Sequence, residues 1–66
     1  MPMIRLYNRN GLRVASNGPY KVIAYAEGGY CTLRYVAWIG FVLDDNIPPD
    51  AEKALCAALR IPCLEV

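Results

Sequence analysis

The sequence contains no histidine, and Ser16 is the only serine among its 66 residues. Histidine is the side chain that most often exchanges a proton near neutral pH, so the commonest general base is missing. The only lysines, Lys21 and Lys53, fall where the pattern described below predicts exposure. Because covalent and acid–base catalysis need a tuned base beside a nucleophile, the sequence predicts a protein that is not an enzyme.

Metal-binding and disulfide patterns are also missing. The three cysteines, Cys31, Cys56 and Cys63, are odd in number and include no C-x-x-C pair. Disulfide scaffolds use an even, denser set, and closed zinc sites combine cysteine with histidine. We therefore expect three reduced thiols, no metal and no cofactor. A regulatory Cys56–Cys63 bridge around the end of the predicted helix is the alternative.

Long apolar segments are absent as well, since the longest run covers the eight residues 36–43. A membrane-spanning helix needs roughly 20 such residues, and no basic region followed by an apolar stretch opens the chain. We expect a cytoplasmic protein with no membrane partner. The length allows one domain, residues 1–66, which buries only about 60% of its unfolded surface and gains from a partner subunit.

The first predicted hairpin surrounds Asn10-Gly11, which lies between two segments of alternating apolar and polar residues. A two-residue turn there would set Leu6 opposite Ala15 and mix the faces, whereas a three-residue loop sets Leu6 opposite Val14. We predict the three-residue loop, because a slip of one residue moves every side chain to the other face. One face then carries Ile4, Leu6, Leu12 and Val14, and the other carries Arg5, Tyr7, Arg13 and Ala15.

The second predicted hairpin joins residues 20–27 to a strand that starts at Tyr30, through a tight turn at Gly28-Gly29. This register sets Ala24 opposite Leu33. β-branched and aromatic residues extend the last strand through residues 36–43, with a bend or bulge at Gly40. One face of this hairpin carries Lys21, Ile23, Tyr25 and Glu27 against Val36, Arg34, Thr32 and Tyr30.

The strongest helix signal runs from Pro49 to about Arg60, and Pro62 ends it. Proline suits the first helical position, and acidic residues in the first turn favour the positive end of the helix dipole. The apolar stripe of this helix comprises Ala51, Leu55, Ala58 and Leu59. The predicted fold is therefore α+β: a four-stranded antiparallel sheet of two hairpins, packed by one C-terminal helix, with residues 63–66 as an optional short fifth strand.

Basic and tyrosine side chains share one face of this predicted sheet. Aromatic platforms within positive grooves bind single-stranded nucleic acid. The net charge of only +1 is less typical of that function, and such side chains also pair across exposed sheets. A nucleic-acid-binding module is therefore the alternative function. The residues of this predicted basic–tyrosine face are Arg5, Tyr7, Arg13, Lys21, Tyr30 and Arg34.

Trp38 belongs to a predicted strand that is apolar on both faces, and one helix covers only one of them. Tryptophan and tyrosine are enriched at binding hot spots, and large exposed apolar patches mark interaction sites. Either the first hairpin folds over Trp38, or another chain covers it, with a homodimer as the favoured intermolecular form. The predicted protein interface comprises Trp38, Val36, Val42, Ile23 and Tyr25.

The function predicted from these features is a small, non-enzymatic protein-binding module that occupies a surface of a larger protein, as an inhibitor or adaptor. Chains of this size and class are frequent among phage and mobile-element proteins that inhibit host systems, including anti-CRISPR proteins. That expectation rests on the size and class of the chain, because no motif in the sequence indicates it. The expected partners are a protein or a second copy of the chain, with nucleic acid as the less favoured one.

Overall fold

The computed structural model describes residues 3–64 and has an α+β fold, which confirms the predicted class. The antiparallel sheet has five strands whose order in space follows the chain. One C-terminal helix packs on it, and no helix within residues 3–64 is long and apolar enough to cross a membrane. The elements are β1 (Arg5–Arg9), β2 (Leu12–Asn17), β3 (Tyr20–Ala24), β4 (Tyr30–Val36), β5 (Gly40–Leu43) and α1 (Pro49–Leu59).

The fifth strand arises within the apolar run that the sequence predicts to be continuous. Residues 37–39 form a turn, and β5 folds back on β4 with Val36 opposite Gly40. Trp38 at φ 72° and Gly40 at φ 104° both take positive φ, which reverses the chain. At the C-terminus, Cys63 and Leu64 form no regular structure, and residues 65–66 of that predicted strand lie outside the described residues.

The register of the first hairpin differs from the prediction. Asn10 at φ 53° and Gly11 at φ 79° form a two-residue turn, which sets Leu6 opposite Ala15. The predicted three-residue loop, with Leu6 opposite Val14, is wrong. Asparagine followed by glycine is the pair that best accepts two positive φ angles, and the resulting turn matches the twist of its strands.

The register of the second hairpin is also wrong in the prediction. β3 ends at Ala24 and pairs there with Tyr30 instead of Leu33, a shift of 33 − 30 = 3 residues. Residues 25–29 form a longer loop, in which the Tyr25 N–H donates to the Gly29 carbonyl at 3.0 Å. Because the shift is odd, every side chain of β4 lies on the opposite side from the predicted one.

Small side chains on one side of the sheet form the floor on which α1 packs. Ala15 of β2 lies opposite Val22 of β3, and both are fully buried. Short side chains allow the helix to approach the strands closely, and residues that face each other across strands share one side of a sheet. The buried cluster comprises Ala15, Val22, Ala24, Ile47, Leu55, Cys56 and Leu59.

No described element packs over the other side of the sheet, which we call the open face. Lys21 and Leu33 lie opposite each other on it, as do Ile23 and Cys31. Val14 also lies on this side by alternation and is only 2% exposed, although it is outside the helix-side cluster. Side chains of the open face therefore cover one another in place of a second layer.

The helix lies where the sequence predicts it. Pro48 precedes it, Pro49 occupies its first turn, and Arg60 at φ 59° ends it by donating its N–H to the Ala57 carbonyl at 3.0 Å. Leu55 is fully buried, which confirms it as the central core residue of α1. Cys56 joins Leu55 and Leu59 on the buried side, whereas Ala51 and Ala58 are only half-buried.

Replacing Leu55 by alanine should lower the free energy of unfolding by about 2–5 kcal/mol, because it leaves a cavity between α1 and the sheet. Leu64→Ala is the matched control, since Leu64 is 70% exposed, and should cost less than about 0.5 kcal/mol. Urea unfolding followed by circular dichroism measures both. A Leu55→Ala protein as stable as the control would contradict the packing of α1.

Candidate functional site

The turn between β4 and β5, residues 37–39, carries the most exposed large apolar side chain of the described residues, that of Trp38, and we call this turn the hairpin tip. Trp38 is 103% exposed and Ile39 is 71% exposed. The Ile39 N–H donates to the Val36 carbonyl at 3.1 Å, which closes the turn and holds Trp38 in its left-handed conformation. A tryptophan in that conformation is unusual, because a bulky side chain at positive φ is strained.

Two further exposed apolar side chains lie on the strands of the same hairpin, Tyr35 close to the tip and Leu43 at the end of β5 away from it. Tyr35 of β4 is 52% exposed and Leu43 of β5 is 73% exposed. The Tyr35 ring meets the edge of Phe41 with a centroid distance of 5.4 Å and an interplanar angle of 70°. This geometry is favourable for aromatic pairs, so it holds the two strands of the hairpin together behind the tip.

The structure separates the residues of the predicted protein interface. Val42 lies opposite Arg34 on the side that α1 covers, and Val36 lies opposite Gly40 in the same register. Ile23 lies on the open face opposite Cys31, and Tyr25 follows β3 in the loop of residues 25–29. Trp38 lies in the turn that follows Val36 and not in a strand, and its full exposure shows that none of these side chains packs over it. The first hairpin does not cover Trp38.

A cleft of about 540 Å³ on the open face gathers positive charge. Lys21 of β3 reaches between rings from the two edge strands, with its ammonium nitrogen 3.9 Å from the Phe41 centroid and 5.9 Å from the Tyr7 centroid. Both distances are within the range of cation–π attraction, so the ammonium is held in place. We call this the basic cleft, and its lining is Met3, Arg5, Tyr7, Arg9, Ser16, Gly18, Lys21 and Phe41.

The predicted basic–tyrosine face is divided between the two sides of the sheet. Arg5, Tyr7 and Lys21 lie together on the open face and line the basic cleft. The other three residues lie on the helix side, because the actual registers place them there, and their predicted position on the same face is wrong. These three are Arg13, Tyr30 and Arg34.

The helix-side cations have partners within the fold. The Arg13 guanidinium donates to the carbonyl of Leu59 at the end of α1. The Nε of Arg34 lies 2.9 Å from a carboxylate oxygen of Asp44 just after β5. A cation at a helix C-terminus interacts favourably with the negative end of the helix dipole, so Arg13 helps to hold α1 against the sheet.

Tyr30 anchors the start of α1 and the chain after it to the sheet. Its hydroxyl donates to Glu52 at 2.5 Å and accepts the N–H of Leu64 at 2.8 Å. Burial and the hydrogen bond to the Glu52 carboxylate raise the pKa of Tyr30, so the phenol stays protonated and keeps donating. Tyr30 therefore has a structural role, and its ring is not an exposed surface on which a base could stack.

All three cysteines are free thiols in the structure. Cys56 is 1% exposed, and burial raises its pKa from 9.0 to about 11. Cys31 and Cys63 are half-buried. Within residues 3–64, no group of three or more cysteine and carboxylate side chains is arranged to hold a metal ion.

Arg9 and Phe41 of the basic cleft and Ile39 of the tip were missed by the sequence prediction. The predicted three-residue loop consists of residues 9–11 and so includes Arg9, yet Arg9 belongs to β1 because the turn is confined to Asn10 and Gly11. The Asn10-Gly11 pair is the signal that would have found it. No comparable signal marks Phe41, because its strand begins after a turn centred on Trp38, a residue that seldom forms one.

Comparison with protein-family models, with curated proteins and with solved structures found no match to this chain. Within residues 3–64, the features that bear on function are the hairpin tip and the basic cleft.

Replacing Arg13 by glutamate should lower the free energy of unfolding by about 1–2 kcal/mol, because it places an anion beside the Leu59 carbonyl. Arg9→Glu is the matched control, since Arg9 also lies in the first hairpin but faces the open side; it should cost less than about 0.5 kcal/mol. Thermal unfolding at low salt measures both. Equal stability of the two variants would contradict the helix contact of Arg13.

Alkylation by iodoacetamide at pH 8.5 should modify Cys56 last, because it is buried and its raised pKa leaves little thiolate. The pKa of the Cys56 thiol is higher in the folded protein than in the unfolded chain, where it is about 9. The free energy of unfolding should therefore keep its full value below about pH 9 and fall as the pH rises to about 11. Peptide mass spectrometry against time gives the order of labelling. Cys56 reacting as fast as Cys31 in folded protein would contradict this assignment.

Proposed function

We propose that the chain is a small protein-binding module that inserts its hairpin tip into a pocket of a larger protein. The full exposure of Trp38 is the observation that carries the proposal. A tryptophan side chain buries up to about 250 Å² in a contact, which at about 25 cal/mol per Å² corresponds to about 6 kcal/mol before the entropy cost of association. Tryptophan is also the residue most enriched at binding hot spots.

The fold itself gains little from Trp38. The core beneath α1 is closed by residues of the same chain, with Leu55 and Val22 fully buried. A large apolar side chain that stays in contact with water lowers the solubility of the protein. The strained backbone of Trp38 also lowers the stability of the fold. A contact with another molecule offsets both costs, which supports a binding role for the tip.

The shape of the tip favours a different protein over a second copy of the chain. A two-fold contact between convex tips would rest mainly on Trp38 and Ile39, whereas a stable dimer of standard size buries about 1,200–2,000 Å². A pocket on a larger partner surrounds the indole and needs no such area. The predicted homodimer stays a prediction, which light scattering of the purified protein tests directly.

A module of this kind acts by occupancy. By filling a pocket of a cytoplasmic partner, it competes with the ligand of that pocket or tethers two proteins, as an inhibitor or an adaptor does. Neither role requires chemistry from the chain. The expected phage-type, anti-defence role is one instance of such inhibition.

Trp38→Asn tests the proposal, because asparagine tolerates the left-handed backbone and leaves the turn intact. A partner captured from nuclease-treated lysate and then purified should bind this variant at least about 30-fold more weakly than the wild type. Leu64→Asn is the matched control, because Leu64 is also exposed but lies away from the tip. It should bind as the wild type does, and both variants should melt normally.

The fluorescence of the single tryptophan reports the same contact. The free protein should emit at the wavelength of a fully hydrated indole, and a stoichiometric partner should shift the emission to the blue. A partner that binds Trp38→Asn with wild-type affinity would contradict the proposal.

A further inference from the structure

Beyond the protein contact at the hairpin tip, we propose that the basic cleft on the open face binds single-stranded nucleic acid. The two surfaces are distinct, since the tip is the turn of residues 37–39 and the cleft lies over the strands. The proposal rests on the sign of the charge in the cleft, on the aromatic rings beside it and on the absence of a covering layer among the described elements.

The charge of the cleft is complementary to an anion. Arg5, Arg9 and Lys21 line it, and none of the lining residues between positions 3 and 64 carries a carboxylate. The acidic side chains with described contacts serve the helix side, where Asp44 pairs with Arg34 and Glu52 accepts from Tyr30. Cations gathered without counter-charges attract a phosphate backbone, and its release of counterions supplies affinity.

Aromatic rings lie beside these cations at stacking positions. Tyr7 and Phe41 flank the ammonium of Lys21, and Tyr35 of β4 contacts Phe41 edge to face with half of its own surface exposed. Single-stranded nucleic acid is bound in this way, with bases stacked on rings while the backbone follows a positive groove. Stacking accepts any base, so we infer little sequence preference.

A single strand fits this arrangement better than a duplex or an acidic polypeptide. In a duplex the faces of the bases are already stacked on one another, so the rings would have no partner. An acidic peptide would satisfy the cations and leave the exposed ring of Tyr35 in water. Only an unpaired strand supplies phosphates and free base faces together.

Fluorescence anisotropy with a labelled 12-nucleotide oligo(dT) or oligo(U) tests the proposal. Three phosphate contacts predict a slope of about −2 for the logarithm of affinity against the logarithm of salt concentration, or about a 20-fold loss between 50 and 200 mM NaCl. A duplex of the same length should bind at least about fivefold more weakly at 50 mM NaCl.

Two pairs of variants separate the cleft from general charge and general aromaticity. Arg5→Gln with Arg9→Gln should reduce the slope to about −0.7, whereas Lys53→Gln with Arg60→Gln, which removes the same charge from exposed positions on and after α1, should leave it unchanged. Tyr35→Thr should weaken binding at least about fivefold. Tyr25→Thr is its control, because Tyr25 is similarly exposed but lies in the loop of residues 25–29, whereas Tyr35 contacts Phe41 of the cleft lining.

The outcomes distinguish this proposal from the protein contact at the tip. Trp38→Asn should leave oligonucleotide binding unchanged, so the cleft proposal and the tip proposal are tested independently of each other. No salt-dependent binding at 100 μM protein, on the order of the weak non-specific limit, would overturn the cleft proposal. Binding of a poly-glutamate peptide as tight as that of the oligonucleotide, with no effect of Tyr35→Thr, would also overturn it and indicate an acidic protein partner.

Discussion

The packing of α1 on the small side chains of β2 and β3 determines which side of the sheet remains open. Ala15 and Val22 form a floor without projecting groups, and Leu55 and Leu59 fill the space above it. An 11-residue helix covers only one side of a five-stranded sheet. The opposite side therefore faces water, and its side chains must either shield one another or bind something.

The same packing divides the cations between a structural and a recognition role. Arg13 and Arg34 lie on the helix side. Arg13 donates a hydrogen bond to the Leu59 carbonyl at the end of α1, and Arg34 forms an ion pair with Asp44. Lys21 lies on the open face, where the rings of Phe41 and Tyr7 lie next to its ammonium. Cationic residues on the neighbouring strands β2, β3 and β4 thus differ in function, because the side chains of each strand alternate between the two sides of the sheet.

The sequence predicts well what depends on local chemistry and poorly what depends on loops. The position of α1 follows from Pro49 and the spacing of its apolar residues, and it was confirmed. Both hairpin registers were wrong, because each depends on where the turn begins: Asn10-Gly11 makes a tighter turn than predicted, and Gly28-Gly29 belongs to a longer loop. The apolar run of residues 36–43 hides a reversal at Trp38. A register shift by an odd number of residues moves every side chain of a strand to the other side of the sheet. The wrong registers therefore also placed Arg13, Tyr30 and Arg34 on the wrong face in the predicted sites.

The register that places Val22 under α1 and Lys21 on the open face is the central claim, and nuclear Overhauser effects measure it directly. Contacts should join the Val22 methyl groups to the apolar side of α1. Close Hα–Hα contacts arise only at the non-hydrogen-bonded pairs of an antiparallel ladder, so they should join Val22 to Thr32 and Ala24 to Tyr30. The ε-methylene protons of Lys21 should also be shifted upfield by the ring of Phe41. Contacts between Leu33 and α1, as a tight turn at Gly28-Gly29 would produce, would contradict the assignment of the two sides and the surfaces inferred from it.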